Sequence, residues 1–203
     1  MDKFQQYIFL EIATVQGLIL EKKKNDKYRE DELIISIFLC RFCEKIWRIQ
    51  CAIGFPLKNS ESKIIPMVGK ANLEGLKSIL NKKIEQDCDV DVLIVKHTPN
   101  NSKRAGQGFQ IKRFNTHQKD LSTEGLIKYV ESLVGRAKTD TALVIMLETG
   151  ESTKFQQIRN LINFAKFPFS ALYFLTVHDD IMKFIEVWPN LGKETLSYNS
   201  LLA

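Results

Sequence analysis

The stretch DVDVLIV (Asp89–Val95), followed by GFQIKRF (Gly108–Phe114), decides how this chain is read. Val92-Leu93-Ile94-Val95 is a continuous apolar run, as a buried strand requires. A carboxylate, Asp91, stands where that strand begins. Nineteen residues later a second expected strand, Phe109 to Phe114, carries Gln110 and Lys112. Side chains alternate along a strand, so Gln110 and Lys112 share one face and Phe109, Ile111 and Arg113 the other. The two polar groups then lie about 7 Å apart. If the strands pair as a hairpin, Asp91 approaches Gln110, while Phe109 and Ile111 anchor their face in the core. A lysine with apolar neighbours is costly to bury without a partner; a carboxylate, a metal-bound water or a phosphate would each supply one. Between the strands, Pro99-Asn100-Asn101-Ser102 is a turn cluster, and Gly106 and Gly108 suit a hairpin.

Working outward, Ile8, Ile12, Val15 and Leu18 are spaced for one helical face over residues 4–21. Lys22 to Lys27 form a polar break. Residues 30–52 predict a long, largely buried helix that stops before Gly54 and Pro56. Residues 56–70 predict a loop, with room for a short strand at Ile64–Val68. Leu73, Leu76, Leu80 and Ile84 share a face of a helix over 71–86, with Asn72 as its cap. Beyond the central strands, a helix is expected over 122–137, capped by Ser122 or Thr123. A buried strand follows at Ala142–Leu147, then a helix over 152–165. Ala171–Val177 and Ile181–Val187 predict two strands around a turn at His178-Asp179-Asp180. Helices and strands alternate over the last two-thirds, which argues an α/β fold with a mixed sheet covered by helices. Residues 1–55 are expected to form a helical layer or cap, and 56–203 the α/β core.

The composition is that of an ordinary globular protein: 203 residues, 44% hydrophobic and 26% charged, with 13 Phe to fill a core. Only 10 Gly and 5 Pro exclude collagen-like and Pro/Gly-rich disordered classes. A net charge of +5 permits a nucleic-acid partner without arguing for one. The opening MDKFQQYIFLEIA lacks the small-residue site of a signal peptide, and the most apolar helical stretch is broken by Arg41, Glu44 and Lys45. A soluble cytoplasmic protein, with no membrane partner, is the expectation.

An Asp before an apolar strand, a loop, and then Gln-x-Lys resembles the PD-(D/E)xK nuclease superfamily. Phe109-Gln110-Ile111-Lys112-Arg113-Phe114 resembles the third motif of its Mrr-like branch, in which Gln commonly replaces the second acid. The resemblance covers roughly residues 70–150. It implies a restriction endonuclease-like three-layer core with a mixed central sheet flanked by helices. It further implies a metal-dependent nuclease acting on DNA, in restriction, defence or repair. Asp91 would bind Mg²⁺ or Mn²⁺, Gln110 would add a neutral oxygen ligand, and the carbonyl of Ile111 would contribute. Lys112 would orient the attacking water and neutralise charge on the phosphate. The superfamily also uses an acid on the preceding helix: Glu74 is the best match, with Glu85 second. Two departures stand out. No Pro precedes Asp91, and Cys88-Asp89-Val90 stands where the branch usually has glycine, leaving Asp89 a less favoured ligand.

Other readings stay open. In one, Asp91 caps a strand start while Gln-x-Lys forms the outer face of an edge strand. In another, the same fold serves as a non-catalytic nucleic-acid- or protein-binding module, with the N-terminal helices offering a surface for a homodimer or another partner. From Val92 to Lys119 there are six basic residues and no acidic one. Of these, Lys96, Lys103, Arg104 and Arg113 are candidates for contacting DNA; contacts to backbone phosphates supply affinity without sequence information. Cys40 and Cys43 make a CxxC, and Cys51, His97 or His117 could complete a zinc set, but the i, i+3 spacing on a helix also suits simple core packing. No phosphate-binding glycine motif is present.

Overall fold

The structure, a computed structural model, describes residues 6–24, 30–57, 73–83, 90–96, 106–114, 122–134, 141–147, 155–178, 181–190 and 192–197. The chain divides into two compact units, Met1–Gly108 and Phe109–Ala203.

The first unit opens with a strand, β1 (Gln6–Leu10), where the 3.6-residue spacing predicts a helix from residue 4. The run Tyr7-Ile8-Phe9-Leu10 also alternates, and a partner strand resolves the ambiguity. It pairs antiparallel with β2 (Cys51–Leu57), burying Ile8 and Leu10 completely. Helix α1 (Ile12–Leu20) then buries Ile12, Val15 and Leu18, as the spacing predicts. The N-terminal 55 residues are therefore not a purely helical layer, because β1 and most of β2 lie within them. Helix α2 (Glu30–Trp47) stops short of residue 52, and Cys51 starts β2 instead. Every residue from Leu33 to Cys40 is buried, so the middle two turns of this helix are enclosed on all sides. Its end is made by Arg48, whose φ of 53° is left-handed and whose N–H donates to the Glu44 carbonyl at 2.8 Å. Helix α3 (Leu73–Lys83) and strand β3 (Val92–Lys96) follow, with β3 antiparallel to β2. The cap Asn72 and the strand at Ile64–Val68 lie outside the described residues.

Strand β4 (Gly106–Phe114) runs across the boundary between the units. Its first residue lies against β3. A Cβ at Gly106 would collide with the Ile94 carbonyl oxygen and come within 2.9 Å of Val95 Cγ1. Only glycine fits that approach.

In the second unit, helix α4 (Thr123–Val134) starts at a Ser122 cap, the Gly125 N–H donating to Ser122 Oγ at 3.1 Å. Strand β5 (Thr141–Leu147) is buried along almost its whole length and pairs parallel with β6 (Ala171–His178). The connection carries a helix shorter than expected, α5 (Phe155–Leu161), and a 3-10 turn at Phe164–Lys166. Strand β7 (Ile181–Trp188) returns antiparallel from β6, with His178 opposite Ile181, as the turn reading predicts. An eighth strand, β8 (Gly192–Ser197), pairs antiparallel with β7 and was not foreseen. Its sequence GKETLS lacks the β-branched and aromatic density that marks a strand, and the partner supplies the order. One core joins Phe114 of β4, Leu126 and Val130 of α4, Leu143 and Ile145 of β5, and Leu172 and Phe174 of β6. The class is thus α/β, with parallel and antiparallel pairs in one sheet.

Candidate active site

On β4 the alternation is as read, but the burial is not. Phe109 is buried, its ring centroid 6.5 Å from that of Tyr173, while Ile111 is only half-buried. On the opposite face Phe114 sits in the core of the second unit, edge-on to Tyr129 at 5.1 Å. It shares that face with Gln110 and Lys112. The polar pair is therefore carried into the protein by a neighbouring aromatic anchor, and Gln110 is only 7% exposed.

The side-chain amide of Gln110 has no hydrogen-bond partner among the described residues. A buried amide without a partner is unusual and costs roughly 1–3 kcal/mol. Lys112, two residues on, is half-buried and engaged, as are Asp91 and Ile111, and Arg113 is engaged too. Arg113 is exposed, and its carbonyl accepts the Tyr129 hydroxyl at 3.2 Å, tying β4 to α4.

In the first unit, Asp91 is half-buried at the bend immediately before β3. Glu74 stands in the first turn of α3 with its side chain 74% exposed, and it pairs with two lysines: Lys77 at 3.5 Å and Lys23 at 3.8 Å. Lys77 was not anticipated. Its side chain is only 5% exposed, and its ammonium donates to the Glu21 carbonyl at 3.0 Å and to Glu21 Oε2 at 3.1 Å. Desolvation works against its charge, but the Glu21 hydrogen bond and the Glu21 and Glu74 carboxylates outweigh it and hold its pKa above the ordinary lysine value. The neighbouring apolar residues Leu76 and Leu80 are the only hint in the sequence that position 77 lies near the core.

Lys96, the last residue of β3, lies over the Trp47 ring at 5.3 Å from its centroid. Lys103, Arg104, Glu85 and Asp89 lie outside the described residues, as do His97 and His117.

The chain thus places Gln110 and Lys112 on one strand face and brings Glu74 to Lys77 and Lys23. Among the described residues no group of three or more His, Cys, Asp and Glu side chains is placed to hold a metal. The donors foreseen from the motif, a carboxylate, an amide oxygen and a carbonyl, form a hard and sparse set that suits Mg²⁺ with most of its waters retained. The amide of Gln110, without a partner among the described residues, fits such a role. Also among the described residues, no helix is long and apolar enough to cross a membrane. No protein-family model matches the chain, and no curated protein or solved structure matches it.

Proposed function

We propose that the chain is a metal-dependent nuclease that hydrolyses DNA phosphodiester bonds, on a restriction endonuclease-like core, in restriction, defence or repair. The observation that carries this reading is the buried amide of Gln110, without a partner among the described residues and on one face of β4 with Lys112. A buried amide left unsatisfied costs stability, and a catalytic role or a bound water or ion is among the explanations for one.

In this reading Asp91 and Gln110 hold Mg²⁺ or Mn²⁺ by oxygen, with the Ile111 carbonyl and Glu74 as further ligands. The cation, when bound, supplies Lewis-acid activation of water and phosphate. Lys112 orients the attacking water and balances charge gathering on the phosphate oxygens. Lys96 and Arg113, with Lys103 and Arg104, contact the DNA backbone. An alternative is a binding module with the catalysis lost, acting on nucleic acid or protein, including a second copy of the chain. Two observations favour it: position 110 is not a carboxylate, and Glu74 is already paired with two lysines.

Cleavage of supercoiled plasmid and single-stranded DNA with Mg²⁺ or Mn²⁺, against an EDTA control, separates the two. Nuclease activity is expected to vanish in folded Lys112→Ala and Asp91→Ala proteins. Cutting that persists in both would sink the assignment. A folded wild type that binds DNA in a salt-dependent way but never cuts it would establish the module.

A further inference from the structure

In the first unit, the C-terminal end of α2 carries a basic surface built around an aromatic ring. Trp47, the last residue of the helix, is half-buried, and the Lys96 ammonium at the end of β3 lies 5.3 Å from its ring centroid. Arg41 and Lys45, four residues apart, share one stripe of the helix, and Arg48 follows immediately beyond it; all three are exposed. Ile46, beside them, is 58% exposed. With Lys96, these positions hold four basic side chains, and the one acid among residues 41–48 is Glu44. Glu44 is turned to the protein. Its side chain is 20% exposed, its Oε1 accepts the Cys51 N–H at 3.0 Å, and its Oε2 lies 3.5 Å from the Arg41 guanidinium.

A helix dipole favours basic residues in the last turn, which accounts for Lys45 and Arg48. It does not account for Lys96, which comes from a strand, nor for a large ring left half-buried beneath it. A single strand of nucleic acid suits both features: its phosphates meet the cations, and an unpaired base takes the ring. A duplex suits only the first, because its bases stack on one another and offer no free face. A membrane surface calls for a row of apolar side chains along the outer face of a helix. Here the exposed positions are Arg41, Lys45, Ile46 and Arg48, and only Ile46 of these is apolar.

We propose that this surface binds single-stranded nucleic acid, with one unpaired base stacked on Trp47 and the flanking phosphates held by Arg41, Lys45, Arg48 and Lys96. Without a ligand, cation–π attraction keeps Lys96 over the ring. On binding, the base takes that place and the ammonium moves to a phosphate. Stacking tolerates any base, so affinity is expected to vary little with sequence. The inference names the form of the substrate, and it rests on the nuclease reading for the cleavage that follows but not for the binding itself.

The test is titration of the full chain with a short fluorescein-labelled oligothymidylate in EDTA, which separates binding from metal-dependent cutting. The same strand in a duplex and an abasic strand of equal length serve as comparisons. The wild type is expected to bind oligothymidylate roughly tenfold more tightly than either, with quenching of tryptophan fluorescence. Trp47→Ala is expected to weaken binding by roughly tenfold or more, and Trp47→Phe to keep most of it. Arg48→Gly, which suits the left-handed backbone there, is expected to reduce the slope of log affinity against log salt by about 0.7. Oligouridylate in place of oligothymidylate tells RNA from DNA at the same site, with the same dependence on Trp47. A duplex or an abasic strand bound as tightly as oligothymidylate would overturn the proposal. So would full binding by a folded Trp47→Ala protein, or attachment to phosphatidylserine vesicles in place of oligonucleotides. The comparison with the abasic strand uses the wild type only, so it decides even where a variant fails to fold. Trp47-dependent binding by a protein that never cuts DNA would keep this surface and remove the nuclease; cutting without single-strand preference would do the reverse.

Discussion

Replacing Gln110 by methionine tests whether its amide is there for the fold or for a ligand. The side chain is 7% exposed and its amide has no hydrogen-bond partner among the described residues. Methionine keeps the length and removes both polar atoms. An unpartnered buried amide costs about 1–3 kcal/mol, so its removal is expected to stabilise the protein by about that amount. For a chain of this size that corresponds to a rise in Tm of roughly 2–12 °C. Urea unfolding of the two proteins, monitored by circular dichroism, reads the difference directly. Mg²⁺ supplies the second arm. If Gln110 is a ligand, a hundredfold excess of Mg²⁺ over its Kd adds about 2.7 kcal/mol to the wild type and much less to the variant. The variant is then more stable without metal and inactive on DNA. A Gln110→Met protein that loses more than about 1 kcal/mol would refute the reasoning, because such a loss means that the fold itself uses the amide.

Gly54, in the middle of β2, lies under the Phe9 ring, where an added Cβ would be 2.8 Å from Cε1 and 3.1 Å from the Leu93 carbonyl oxygen. Gly54→Ala is expected to cost about 1–2 kcal/mol by overpacking, read from a denaturation midpoint, with Phe9→Leu restoring part of it. Arg48 ends α2 at a φ of 53°, so Arg48→Gly is expected to stabilise by up to about 1 kcal/mol; a loss would show that the arginine side chain has a structural role. The raised pKa of Lys77 means that its charge stabilises the fold fully below the ordinary lysine value of 10.5. That contribution disappears as the pH rises through the higher folded value. The stability difference between wild type and Lys77→Met is therefore expected to be level from neutral pH to the ordinary value and to shrink above it. A difference that changes near neutrality would refute the assignment.

The sequence by itself determined the elements whose pattern admits one reading. The runs at Val92–Val95 and Ala142–Leu147 are short apolar stretches, of strand rather than helix length, and both form strands. The Ser122 cap and the buried face of α4 follow from local chemistry in the same way. So does the alternation that puts Gln110 and Lys112 on one face of β4. Tertiary structure decided the rest. Residues 6–10 carry both periods, and the pairing with β2 selected strand over helix. Strand β8 has little propensity of its own and exists because β7 offers it a ladder. The degree of burial was equally hidden. Alternation assigns a face but not the depth of that face. Phe114 takes the Gln110 face into the core, whereas Ile111 stays half-exposed. Lys77 is buried because Glu21, fifty-six residues away in sequence, offers it a carbonyl and a carboxylate. The approach of Cys51 to α2, its N–H donating to Glu44 Oε1, has the same origin. A CxxC on a helix states only that two thiols share a face, and the third cysteine is brought beside that helix by the turn from α2 into β2. Such contacts depend on long-range packing, which local spacing does not encode.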